Sequence, residues 1–322
     1  MSAPVFWPAA LGLCVLAVGL WMHRRDLLDS ALPVESRIRA LGPLLIGAAI
    51  ATFSGEHFTD AADLVRLVPQ WLPLRIPITY SVGIALLAAG LSLAASVAVR
   101  WSAPLLALLF GLFVLLIHLP NAVEHARTRI FWIFPFREGT FAVGAFSIFV
   151  SERKPSWARR SSGFSLFTRL WTAVVLVFFG TQHLGYPQFA PGVPSPKPTS
   201  SWVPLPLLVA YATAAILVSL GAAALFKKTA VAAITWAGIL MAVLTVLLYV
   251  PDLFLAHGPG QPITAINFVA DTLLFSGSML VIARAVLETT LSGSSEAVAK
   301  TSLSTLEQGD SHVAPSHSIV KL

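Results

Sequence analysis

The sequence predicts an all-α integral membrane protein of about nine transmembrane helices, an N-terminal anchor followed by two tandem four-helix bundles in parallel orientation. Three observations lead there. Hydrophobic residues make up 56% of the 322-residue chain and charged residues only 11%, far from the balance of an ordinary soluble domain. Nine apolar stretches are each long enough to cross a hydrocarbon core of about 30 Å, which takes roughly 20 residues. The last eight stretches fall into two sets of four that carry the same polar residues in the same order.

The first stretch, residues 4–22, lacks a basic leader and a small-residue cleavage site, and Arg24 and Arg25 follow it. It reads as a retained anchor with its N-terminus outside, linked through residue 37 to the first bundle. The first bundle, residues 38–150, holds stretches 38–57, 77–99, 102–120 and 130–150. A polar, cationic connector at 151–165 suits an interface with anionic lipid. The second bundle, residues 166–287, holds stretches 166–185, 203–226, 229–250 and 263–286. The alternating short segments of a membrane β-barrel are missing. From 288 to 322 the chain becomes rich in Ser and Thr without apolar periodicity and reads as a disordered cytoplasmic tail.

The basic residues orient this arrangement. Of 21 Lys and Arg residues, only Arg66, Arg75, Arg127, Arg129, Arg137 and Lys197 fall on one side of the nine-span plan. The positive-inside rule makes that side extracytoplasmic. The net charge of +6 is thereby explained by topology and needs no nucleic-acid partner. The expected surroundings are the lipid bilayer of a bacterial cytoplasmic membrane, with a membrane or redox partner protein. Cys14 is the single cysteine, which excludes an internal disulfide and cysteine-based metal clusters.

The repeat is traceable residue by residue. His57 and His183 end their stretches at an offset of 126; Trp71-Leu72-Pro73 and Trp202-Val203-Pro204 match at 131, as do Tyr80 with Tyr211, Gly90 with Gly221, and Pro120 with Pro251. Glu138-x5-Gly144 and Asp271-x5-Gly277 match at 133. A duplicated unit makes these shared residues the first candidates for a common role. Four spans per unit keep both copies in the same orientation.

Glu138 and Asp271 lead the candidates for ligand binding or proton exchange, because each lies some 12 Å inside its span, where an unpaired carboxylate is costly. Each is equally consistent with a hydrogen-bonded acid that fixes helix packing. Arg137 adjoins Glu138 but points elsewhere on a helix and has no basic counterpart in the second copy. His57 and His183 come next. Each is placed to meet the acid of the last span in its own bundle, a pair able to move protons, orient a quinone carbonyl or support a metal, or else simply to cap a helix end. Glu56 becomes Gln182, so the charge there is not shared.

Secondary candidates are His118, Glu124, His125, Tyr211 and His257. His57, His118, His125 and Glu124 are ligand types suited to zinc, copper or iron, but their spacing is no signature and no metal is assigned. Tyr211, with Tyr80, Trp71 and Trp202, fits an interfacial aromatic belt. Gly144 and Gly277 suit close packing between spans.

These residues resemble the DoxX-like family of small bacterial membrane proteins, whose four-helix unit has a first span ending near Gly and His, a glycine-bearing second span, a third closing near Pro, and a last span with a polar residue before glycine. The matching positions are Gly55, His57, Gly90, Pro120, Glu138 and Gly144, then Gly180, His183, Gly221, Pro251, Asp271 and Gly277, across residues 38–286. Relatives include the membrane component associated with thiosulfate:quinone oxidation, so the resemblance implies a lipophilic redox ligand such as quinone, bound by a membrane redox subunit. The family has no single established reaction, and the duplication and anchor depart from its pattern. The alternatives are a small-solute or proton-coupled transporter, against which stands the lack of visibly broken spans at corresponding places, and a non-catalytic scaffold.

Overall fold

The computed structural model describes residues 3–152, 161–193, 197–255 and 261–310, with side chains described at 5–152, 163–193, 197–255 and 263–291. Nine helices among these residues are long and apolar enough to cross a membrane. They are α1 (Ala3–Met22), α2 (Gly42–Thr59), α3 (Arg75–Ala95), α4 (Val99–Phe113), α5 (Arg129–Glu152), α6 (Ser161–Gly185), α7 (Pro206–Ala224), α8 (Ala230–Leu244) and α9 (Gln261–Asp310). The described residues contain no β-strand, only an isolated bridge between Phe189 and Pro198. Pro8, Pro104 and Pro135 sit inside helices, as helices packed together in lipid can tolerate. One face of the bundle carries residues 60–74, 186–193 and 197–205 (the loop face), and the other carries the turns at 96–98 and 226–229 (the turn face).

The helix α9 is the centre: 83% of its spanning window is buried, against 22% for the span that begins with α4. It packs on α8, α2 and α5; α2 also packs on α3 and α1, α6 on α7, and α4 on α5. Close crossings depend on glycine. A Cβ on Gly277 would stand 2.8 Å from the Gly42 carbonyl oxygen, and one on Gly144 would stand 2.7 Å from the Cβ of Ser278. Small residues at these crossings let backbones approach, which is how helices gain contact in lipid.

Two spans are locally widened. α4 continues through a π-helical turn, Val114–His118, into Leu119–Glu124, and α8 continues through Thr245–Tyr249 into Val250–Leu255. Each turn lies just before a proline, Pro120 or Pro251, which lacks the N–H that would continue the α-helical ladder. Both spans run on as continuous helices through these turns, Val99–Glu124 and Ala230–Leu255, so neither is broken. Leu74 and Leu205, also in corresponding places, both take a left-handed backbone (φ 55° and 48°) ahead of α3 and α7.

Two expectations change. Residues 288–310 form a helical continuation of α9, because this stretch holds no proline and is supplied with helix formers such as Leu, Glu, Ala and Lys; the rest of the tail, 311–322, lies outside the described residues. The connector narrows, since α5 runs to Glu152 and α6 begins at Ser161; residues 153–160 lie outside the described residues.

Candidate functional site

An ionic cluster lies where α2, α5 and α9 converge toward the loop face. Arg137 on α5 donates to Asp271 Oδ2 on α9 at 2.6 Å and contacts Glu138 Oε1 at 3.5 Å. Glu56, on the last turn of α2, lies within electrostatic reach of Asp271. All four side chains are nearly withdrawn from solvent: Arg137 and Glu138 are 9% exposed, Asp271 7% and Glu56 4%. Glu56 Oε1 and Arg137 Nε have no hydrogen-bond partner.

The structure thus unites the two acids of the sequence reading and corrects what surrounds them. Arg137 does not point away from Glu138; it bridges Glu138 to Asp271. A helix turns successive residues by about 100°, but the long guanidinium reaches back while its second nitrogen spans to α9. Glu56, set aside because Gln182 replaces it in the second copy, is the third acid. Both missed residues carried a readable signal, a charge inside a predicted span.

The two histidines are elsewhere. His57 Nδ1 lies 2.8 Å from the Phe53 carbonyl oxygen one turn back on its own helix. His183 Nε2 lies 3.0 Å from the Gly192 nitrogen and 3.3 Å from the Gly192 carbonyl oxygen. Neither histidine pairs with the acid of its own bundle. The reason is packing: α2 lies against α9 of the other bundle rather than against α5, and His183 is taken up by the loop.

That loop is anchored into the second half. Gly192, at φ 104°, takes a conformation that favours glycine, and a Cβ there would press on Leu244 and Met241. Tyr249, at the end of the π-turn, donates to the Pro191 carbonyl. Asp252 accepts from Lys197 Nζ (2.7 Å), Ser200 Oγ (2.7 Å) and Trp202 Nε1 (2.8 Å). His118, the residue matching Tyr249, instead stacks on Phe134 with ring centroids 5.4 Å apart. Phe134 also lies under Arg137, 5.1 Å from its guanidinium carbon, so His118 joins the wall of the ionic cluster.

The other candidates are peripheral. His125 is exposed, stacks on Phe131 and sets Nδ1 3.1 Å from the Asn121 carbonyl oxygen. Glu124 is exposed, Tyr211 is 46% exposed, and His257 lies outside the described residues. Among the described residues no group of three or more His, Cys, Asp or Glu side chains is placed to hold a metal ion. Asp60, just past the end of α2, continues the acids toward the loop face. Desolvation and the neighbouring Asp63 carboxylate hold its carboxyl above the usual range, and Arg66 opposes them.

Compared with protein-family models, with curated proteins and with solved structures, the chain gives no match. What stands is a polytopic all-α protein whose apolar helices suit a lipid bilayer, with an ionic cluster buried between α2, α5 and α9.

Proposed function

We propose that the chain is a proton-coupled membrane transporter of DoxX-like build, a duplicated four-span unit behind an anchor helix in a bacterial cytoplasmic membrane, N-terminus outside. The observation that carries this reading is the charge count of the cluster: two buried carboxylates, Glu138 and Asp271, share the guanidinium of Arg137, and a third, Glu56, lies within electrostatic reach of Asp271. Fully ionised, the group bears two uncompensated negative charges. Two like charges 4 Å apart repel by about 4 kcal/mol at an effective dielectric of 20. Charge balance therefore asks for exchangeable protons, and intramembrane acids of this kind mark proton and ion pathways. Asp60 and Glu56 supply a line of acids from the loop face to the cluster.

The π-turns Val114–His118 and Thr245–Tyr249 recur at matching places in the two sets of spans, which supports the duplication. A quinone-type ligand, bound with a redox partner protein, is the weaker reading. It rested on pairs between His57 or His183 and an acid, and those rings are engaged with Phe53 and Gly192.

The test is proton uptake by purified protein in sealed vesicles under an imposed potential. The wild type conducts or couples protons, Asp271→Asn and Glu138→Gln abolish uptake, and Tyr211→Phe leaves it intact. Uptake indifferent to both acid substitutions sinks the proposal; a co-purified quinone lost with Asp271→Asn would move the assignment to the redox reading.

A further inference from the structure

At the turn face, the ends of three spans meet around a small cavity. α3 ends at Ala95, α4 begins at Val99 and α5 ends at Glu152. The cavity has a volume of about 60 Å³, and its lining includes Ser96, Val99, Ser151, Glu152 and, from α9, Arg284. Ser96 and Glu152 are exposed at its rim. Spans end where the hydrocarbon core ends, so the rim lies at the depth of phospholipid headgroups. Trp101, two residues past Val99, is 63% exposed, as suits a side chain at the membrane–water interface.

The polar groups here are of both signs. Ser151 Oγ is buried without a hydrogen-bond partner, and the cavity exceeds the roughly 10–15 Å³ that one water needs, so a small polar group can reach it. Glu152 enters no ion pair among the described residues. Arg284 donates through Nε to Glu288 Oε1 at 2.7 Å. That bond steadies the half-exposed guanidinium and leaves the outer edge of its fork for a second oxygen ligand, to which phosphate is well matched. The start of α4 has no side-chain cap, and a helix N-terminus of this kind favours phosphate. Ser96 Oγ is already taken up by His23 Nε2 at 3.2 Å.

A ligand that is only anionic would face the carboxylates of Glu152 and Glu288. One that is only cationic would face the guanidinium and the helix start. We propose that this cavity binds the headgroup of an amino-phospholipid, its ammonium between Ser151 Oγ and Glu152 and its phosphate on Arg284 and the start of α4. A primary ammonium has N–H groups for both oxygens. A trimethylammonium has none, and a glycerol headgroup brings no cation to offset Glu152. The site is independent of the transport reading.

The test uses the purified full-length protein in detergent, titrated with phosphatidylethanolamine, phosphatidylcholine and phosphatidylglycerol of one acyl composition, with bound lipid counted by native mass spectrometry. Phosphatidylethanolamine is expected to bind about tenfold more tightly than either of the others, the value of one hydrogen bond to a charged group. Glu152→Gln and Arg284→Gln should each remove that preference at an unchanged unfolding temperature. Ser219→Ala, at an exposed position on α7, should keep it. Soluble phosphoethanolamine that displaces the lipid assigns the site to bilayer headgroups; phosphoethanolamine bound with no lipid retained assigns it to a free ester of the same chemistry. Equal binding of the three lipids with no phosphoethanolamine bound, or a preference that survives both substitutions, overturns the proposal and leaves the cavity to water.

Discussion

Arg137 and Asp271, 134 residues apart in the chain, close a 2.6 Å ion pair between α5 and α9. The pair joins the last spans of the two four-span sets, and the same guanidinium lies 3.5 Å from Glu138 Oε1. Removing one partner leaves the other buried without compensation, which costs about 3–5 kcal/mol, whereas replacing both by apolar residues is often neutral or better. Arg137→Leu should therefore lower the unfolding temperature in detergent more than the double substitution Arg137→Leu with Asp271→Leu. A double variant no more stable than the single would contradict this account of the pair.

The loop face of the second half should open when Asp252 is changed. Its carboxylate accepts from Lys197, Ser200 and Trp202, and a hydrogen bond to a charged group is worth about 1.5–3 kcal/mol. Asp252→Ala is expected to expose residues 186–205 to proteolysis at rates at least several-fold above wild type. Asn121→Ala, at the matching place in the first half, should leave the digestion pattern unchanged, since Asn121 is exposed.

Glycines should divide by what surrounds them. Gly277→Ala sets a Cβ against the Gly42 carbonyl oxygen and the Ile46 backbone, and overpacking of this kind costs about 1–3 kcal/mol. Gly111→Ala meets nothing within 4 Å and should gain up to about 1 kcal/mol from helix propensity. Thermal unfolding of the two variants side by side reads both signs.

Leu74 and Leu205 should be improvable. A left-handed residue with a Cβ costs about 1–2 kcal/mol, and both side chains are mostly exposed, at 73% and 69%. Leu74→Gly and Leu205→Gly should hold or raise stability, and Leu205→Val should lower it. The same stability scans decide.

Much of the architecture was readable in the chain. The nine spans follow from runs of apolar residues whose length matches the bilayer. Gly144 and Gly277 were read as packing residues and stand at close crossings. The reading of 288–310 as disordered rested on a polar composition without periodicity, which describes what a segment can bury; a helix extending from a span needs no buried face of its own to begin.

The site was only half readable, and the reason lies in which helix neighbours which. Sequence correspondence drew attention to the matched pairs, Glu138 with Asp271 and His57 with His183, and so passed over Arg137 and Glu56, which occur only in the first set of spans. Hydropathy was sufficient for the number of spans, because that is a count along one chain against a slab of known thickness. Placement of α2 against α9, the reach of Arg137 across to Asp271 and the capture of His183 by Gly192 were decided by tertiary packing alone. A guanidinium's partners depend on side chains brought together from distant spans, and no spacing along the chain contains that information.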